Sequence, residues 1–321
     1  MEDLSADVLD ADFTVSLSGG RLRLVLRNDD GRYHAGSGPI ALEPRGEIQI
    51  DLGFVTTAGD ELSLGPRYWV TSVVRRREGG RGTVEIEGVD GWGVLRAWRA
   101  PRQFVWAAGA LQAWQVIEAI IARAGLRLLS SGSTEAAFLQ PAATVRAGQD
   151  GASAVRRILD AVPDELRPSG GAFRPFEPLA SDATSYAYGL DHALIAVRSR
   201  TSGREAGWSR VLGAGLFGEA VDDEALLVGA GTQVVVDDNL AVQARVDARA
   251  QTALRQAALA TDLGEVVAPM NVGQELGDVI EITDAATGLD AARARVTALR
   301  YRYVRGGPRP RYDLTLSLSE V

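Results

Sequence analysis

The chain has 321 residues, enough for about two domains with cores of their own, and no cysteine, which excludes disulfides, thiolate metal sites and thiol catalysis. Its 34 basic residues are all arginine against 42 acids, so there is no lysine for a Schiff base or a phosphate loop, and a formal net charge of −8 argues against a surface that grips nucleic-acid backbones. No apolar run is long enough to cross a bilayer, and the opening MEDLSADVLDAD is acidic, without the basic and apolar regions of a secretion signal.

Residues 13–17 and 21–26 alternate in hydropathy on either side of Ser18-Gly19-Gly20 and predict two short strands. Asn28-Asp29-Asp30-Gly31 predicts a turn, because these residues tolerate positive φ and bond their own backbone; the ligand ladder of a calcium loop is missing. Pro39 to Pro44 leads into a strand in GEIQID, 46–51, and 54–65 is expected as a loop or irregular strand. Residues 68–77 and 83–89, separated by Gly79-Gly80-Arg81-Gly82, predict a hairpin with Val84 and Ile86 on one face and Thr83, Glu85 and Glu87 on the other. Closely spaced strands of this kind indicate a small barrel or sandwich.

From Pro101 the period becomes helical. Leu111, Trp114, Ile117, Ile120, Ile121 and Ala124 predict an amphipathic helix with Trp114 on its buried stripe and Gly125 as its C-terminal cap. A second helix is expected over 151–162, with Asp150 at its N-terminus and Pro163 as its stop. Residues 163–208 hold Pro163, Pro168, Pro175 and Pro178 and are expected to be irregular and to carry partner contacts, apart from a strand in HALIAVRSR. Strands are expected at 209–212, 224–228 and 234–236. Asp237-Asp238-Asn239 is expected to cap the longest helix, 240–260. Val242, Val246, Ala250, Ala253, Leu254 and Ala257 form its packing stripe, and Arg245, Asp247, Arg249 and Arg255 its outer face.

The end of the chain returns to the earlier plan. GDVIEIT, 277–283, precedes a strand reaching Val304, a break at Gly306-Gly307-Pro308, and a strand with Tyr312, Leu314, Leu316 and Leu318 alternating against Asp313, Thr315 and Ser317. Aligning its Gly-acid opening with that of GEIQID makes 46–90 and 277–321 two copies of one β module.

Candidates for chemistry are few. GAGLFG, 213–218, matches the dinucleotide fingerprint by letter, but no helix starts within it and no parallel βαβ pattern surrounds it. His34 and His192 lie in no nucleophile elbow or H-E-x-x-H pair and are read as surface or structural. Asp222/Asp223 and Asp237/Asp238 are read as caps and turn formers rather than a glycosidase pair. Arg75-Arg76-Arg77 and the arginines at 293, 295, 300, 302, 305, 309 and 311 are read as a solvated or intersubunit strand face paired with acids. No catalytic, cofactor-binding or metal residue is assigned, and no cofactor is expected.

The succession LRNDDGRY, VEIEGVDGW, AWQVIEAIIARAGL, TSYAYGLDHALI, SRVLGAGLFGEAVDDEALLVG, DDNLAVQARVDARAQTAL, ELGDVIEITD and YDLTLSLSEV resembles the phage-tail baseplate hub, or tail-tip hub, family of phage tails and contractile injection systems. The resemblance implies a mostly β fold with α (α+β): two related antiparallel, tail-tube-like β-barrel domains with an intervening α/β segment and a long packing helix. The expected domains are 1–100, a first tube-like unit; 101–208, a helix-containing middle domain; and 209–321, a second tube-like unit including helix 240–260. It further implies a non-enzymatic homotrimer in the virion tail, assembled in the host bacterial cytoplasm, that joins a hexameric tail tube to a threefold spike or tail tip. Partners implied are the tail tube or distal tail protein, the spike or tail-tip protein and the tape-measure protein, with DNA passing through without specific binding and no membrane segment. The chain shows none of the C-terminal lysin, peptidase or fibre regions of the family. The alternatives are a tail-associated cell-wall-degrading enzyme and a receptor- or carbohydrate-binding β module.

Overall fold

A computed structural model describes residues 2–34, 40, 42–57, 59–129, 135–162, 164–238, 240–306 and 310–321. The first unit comprises β1 (Val8–Ser16), β2 (Arg21–Arg27), β3 (Glu47–Thr56), β4 (Gly59–Glu78) and β5 (Arg81–Val89). All its pairings are antiparallel, in the order β1-β2-β5-β4-β3. The hairpin read from 68–89 forms, with Val84 and Ile86 buried and Glu87 exposed. The turn at Asn28 also forms: Asn28 Oδ1 accepts from Tyr33 N at 3.0 Å and Asp29 Oδ1 from Gly82 N at 2.8 Å. The expected loop at 54–65 is instead a long two-stranded arm, since β3 and β4 stay paired out to Thr56 opposite Gly59. Phe54, Val55, Leu62 and Leu64 stay exposed there, so the arm has no core face to impose an alternating pattern. Pro39 lies outside the described residues.

The middle of the chain supplies α1 (Gly91–Ala97), β6 (Phe104–Trp106), α2 (Ala113–Arg123), β7 (Arg127–Leu128), β8 (Ala143–Val145), α3 (Gly151–Leu159), β9 (Glu165–Ser169) and β10 (Ala172–Phe176). On α2 the buried stripe is Ala113, Val116, Ile117, Ile120 and Ile121; Trp114 sits half-buried at its flank, one position off the predicted face. Gly125 adopts φ +80° after the helix, the left-handed conformation of a C-terminal cap. Asp150 caps α3 by accepting from Ser153 N, and Pro163 lies outside the described residues. The stretch from Asp164 is more regular than its prolines predict. β9 and β10 form a hairpin across Gly170-Gly171, with Pro168 on the edge strand and Pro175 beyond the short pairing of β10 with β7.

The remainder is β11 (Thr184–Tyr188), β12 (Ala196–Ser199), β13 (Ala206–Leu212), β14 (Phe217–Val221), α4 (Asp223–Leu227), β15 (Gly231–Val236), α5 (Gln243–Ala260), β16 (Gly264–Pro269), β17 (Val279–Asp284), β18 (Leu289–Val304) and β19 (Arg311–Ser319). The segment 224–228, expected as a strand, lies in helix α4 and its C-cap, and Asp222 caps that helix by accepting from Ala225 N. Five apolar-rich residues do not distinguish helix from strand by period. Helix α5 starts at Gln243 with Val242 as N-cap and no side-chain cap, later than predicted. Asp237 and Asp238 precede it as part of the approach, and Asn239 is outside the described residues. Val242 is exposed, whereas Arg249, expected on the outer face, is buried within electrostatic reach of Asp160 and Asp237.

The same five-strand order occurs twice, as β1-β2-β5-β4-β3 and as β12-β16-β19-β18-β17. Correspondence extends to single residues. Trp69 pairs with Glu47 on one side and Val89 on the other, and Arg295 likewise with Val279 and Ser319. The register shifts between Val70 and Ser72 in one copy and between Val296 and Ala298 in the other. Arg45 (φ +75°) donates its N–H to Val70 O, and Gly277 (φ +90°) donates to Val296 O, so Gly277 matches Arg45 and the Gly-to-Gly alignment is one residue out. In the second copy, β13 to α5 are inserted between the two strands that a short turn joins in the first.

Two barrels were expected. The described pairings instead join both copies through β1 and β18 into one sheet of 11 strands, with β11 added in parallel to β17, and no pairing among the described residues closes either copy. Gly307 and Pro308 of the last break are outside the described residues. One core lies under both copies; a second contains α1 to α3 and the inner side of α5. Phe13 sits where the copies meet, stacked on Tyr301 at 4.8 Å between ring centroids and edge-on to Tyr68 at 6.0 Å. Phe13→Ala is expected to lower stability by about 3–5 kcal/mol in urea unfolding, whereas Val55→Ala on the exposed arm changes it by less than about 0.5 kcal/mol.

Candidate assembly surface

The pairing of β1 with β18 has two chemically different faces because successive side chains alternate. Inward, Phe13 faces Tyr301 and Val15 faces Leu299, all buried. Outward, Asp12 faces Arg302 and receives a two-pronged contact from Arg300, whose Nε and Nη2 donate at 2.8 and 2.6 Å. Ionic contacts continue across the sheet. Arg23 on β2 reaches Glu85 at 2.6 Å and Asp10 at 3.5 Å, and Arg76 on β4 reaches Glu85 at 2.9 Å. The arginine face read from the sequence is therefore paired with acids at Arg76, Arg300, Arg302 and Arg311. Arg295 is buried and bonds Asp182, Arg75 points to the carbonyls of Tyr33 and Leu42, Arg293 to that of Asp182 and Arg305 to that of Ala6; Arg309 is outside the described residues.

Asp90 was missed by the sequence reading. Its side chain caps α1 through Gly93 N at 3.1 Å and accepts from Gly20 N at 2.6 Å, tying the β1–β2 turn to the start of the helical layer. An acid at the junction of a strand and GWGVLRA was the available signal.

The remaining candidates are scattered. GAGLFG forms the turn between β13 and β14: Gly213 N donates to Leu216 O, Gly215 takes φ +74°, and a Cβ on Gly218 would lie 2.6 Å from Asp247 of α5. These glycines serve a hairpin and a close helix approach, with no helix N-terminus for a pyrophosphate. His34 is exposed beside Gly31, while His192 packs between Tyr186 and Tyr188. Asp222 caps α4 and is paired with Arg204. A cleft of about 230 Å³ between β12, β16 and the end of α5 is lined by Arg198, Arg200, Asp262, Glu265 and Thr297, with Arg200 and Asp262 paired. Among the described residues no group of three acids or histidines could hold a metal ion, and no helix is long and apolar enough to cross a membrane.

No family model matches the sequence, and no curated protein is similar to it at the sequence level. Solved structures do share its fold over nearly the full chain. A tail protein from Neisseria meningitidis MC58 is similar over 98% of this chain and 92% of its own, at 12% identity and a TM-score of 0.68. The 43 kDa tail protein of prophage MuSo2 from Shewanella oneidensis is similar over 98% and 94%, at 14% identity and a TM-score of 0.63. The E. coli c3393 protein, a type VI secretion component described as structurally similar to T4 tail proteins gp27 and gp5, is similar over 98% and 74%, at 13% identity and a TM-score of 0.55. The structural neighbours are thus phage tail proteins and baseplate-hub-related proteins of type VI secretion.

Asp12 and Asp90 lend opposite pH dependences to the fold. The hydrogen bond from Arg300 holds Asp12 below its ordinary value near 3.8, so its stabilisation is present above that value and lost as pH falls. Burial pushes Asp90 up to about 6 against the pull of Gly93 N and Gly20 N; the folded chain holds that proton more tightly, so its stabilisation is full below about 3.8 and declines as pH rises through 6. In urea unfolding, the loss caused by Asp12→Asn shrinks as pH is lowered toward 3.5. The loss caused by Asp90→Asn is larger at pH 4.5 than at pH 7.5, by on the order of 1–3 kcal/mol.

Proposed function

We propose that the chain is a non-enzymatic structural hub subunit of a phage tail or contractile injection system, located in the virion tail and assembled in the host bacterial cytoplasm. Three copies surround a channel, each contributing two tube-like sheet units, one of β1 to β5 and one of β12 and β16 to β19, with the helical layer and the inserted β13 to α5 as excursions between their strands. Six related units then meet a hexameric tail tube or distal tail protein on one side and a threefold spike or tail tip on the other. The tape-measure protein is a further partner, and DNA or an effector passes through a lumen that repels a polyanion, in keeping with a net charge of −8.

The observation that carries this reading is the five-strand order repeated within one chain. Closed rings need matched faces repeated about an axis, and a chain presenting the same face twice converts threefold symmetry into an approximate sixfold. The likeness to tail proteins over nearly the whole chain supports the same conclusion. The scattered acids and histidines favour a role in assembly over hydrolysis, because general acid–base chemistry requires such groups to converge.

Native mass spectrometry and electron microscopy of the purified chain test the proposal. The expected species has three times the chain mass and appears as an annulus with near-sixfold modulation. A monomer at every concentration, with no ring alone or on tails, would contradict it.

A further inference from the structure

Each copy of the five-strand unit owns two sheet edges that matter for assembly, and within one chain only one of each kind is filled. In the first copy β1 uses its edge away from β2 to pair with β18. In the second copy β18 receives β1 over residues 298–304, beyond the stretch that pairs with β17. The counterparts are vacant among the described residues. β12, which corresponds to β1, pairs only with β16, and residues 71–78 of β4, which correspond to the part of β18 that receives β1, pair only with β5.

We infer that β12 of one copy pairs antiparallel with residues 71–78 of β4 in the next copy, in the register that β1 and β18 use inside each chain. The inference rests on the ring reading above and names its contact. Common partners fix the equivalences: Asp10 and Ala196 face Val25 and Val267, and Asp12 and Arg198 face Arg23 and Glu265. On the other strand, the matching register shifts make Ser72 equivalent to Ala298, Arg76 to Arg302 and Glu78 to Val304. Transferring the β1–β18 register therefore sets Ala196 opposite Glu78, Arg198 opposite Arg76 and Arg200 opposite Val74.

Two physical facts favour a second copy as the occupant. An unpaired strand edge exposes a row of backbone donors and acceptors that only another extended backbone satisfies in full. The two edges also continue an interface that already exists in the chain, and exposed Val74 and Ile195 flank them. The like-charged pair Arg198 and Arg76 has acids close by on the same face: Glu265 lies opposite Arg198, Glu85 binds Arg76 at 2.9 Å, and Glu78 is two residues from Arg76. In the ring, between-chain joints then alternate with within-chain joints.

The backbone pattern identifies a probe position. Leu17 N donates to Thr297 O and Arg305 N to Leu9 O, which leaves Asp10 opposite Val304 as a non-hydrogen-bonded pair, the kind whose side chains lie closer. Its equivalent between chains is Ala196 opposite Glu78, both exposed, and the chain has no cysteine of its own. The double variant Ala196→Cys/Glu78→Cys, mildly oxidised, should run as covalent dimers and trimers on a non-reducing gel and revert with reductant. The out-of-register variant Ala196→Cys/Ser72→Cys should not, because Ser72 lies six residues along the strand from Glu78, about 20 Å, well beyond the roughly 7 Å span of a disulfide. Thermal unfolding of both reduced variants checks that they fold. Native mass of the unmodified chain separates the outcomes. A trimer without the in-register cross-link, or with equal cross-linking in the control, overturns the edge pairing and leaves the ring reading standing; a monomer without the cross-link overturns both.

Discussion

The structure depends on the antiparallel joint of β1 and β18, which brings together residues as far apart as Asp12 and Arg300, 288 positions along the chain. Closing so long a separation is entropically costly, and the joint offsets that cost on both faces at once. Phe13 and Tyr301 stack beneath it, and Asp12 takes two hydrogen bonds from Arg300 above it. Because the two ends are fused, the helices from α1 to α3 and the inserted sheet of β13, β14 and β15 behave as excursions from a common β frame. Asp90 couples that frame to the helical layer by capping α1 while holding Gly20.

Half-buried strands were legible because one face must be apolar. The hairpins at 68–89 and in the last thirty residues could be read from Val84, Ile86, Leu314 and Leu316 alone. The repeat was legible as a pattern, but its alignment was anchored on glycines. The backbone makes Arg45 the counterpart of Gly277, since both hold a left-handed φ, and a letter-based alignment has no access to that. Elements without a core face, or too short to show one as a period, were hidden for the same reason that others were visible. The arm of β3 and β4 beyond Asp51 exposes apolar residues on both strands, and α1 and α4, at seven and five residues, are too short for a helical period. The burial of Arg249 depends on where α5 packs, which hydropathy along the helix does not encode.

The same contrast applies to the candidate site. Single motifs such as GAGLFG suggested chemistry, and geometry assigned them to a turn and a close approach. What distinguishes this chain is an arrangement of backbone edges and ion pairs spread over many strands. Such surfaces tolerate extensive substitution as long as alternation, register and the joint survive, which is consistent with a shared fold at 12–14% identity. Specificity in this kind of surface comes from strand register, because a slip by one residue exchanges its apolar and charged faces.

The central claim is that one sheet unit, present twice, leaves one edge of each kind open for a neighbour while filling the other within the chain. Hydrogen exchange of dilute free chain against assembled particles reads those edges directly. The account predicts that amides of β1 and of residues 298–304 are protected in both states, while the amides of β12 and residues 71–78 that point away from β16 and β5 become protected only on assembly. Equal exchange at β12 and 71–78 in free and assembled protein would contradict it.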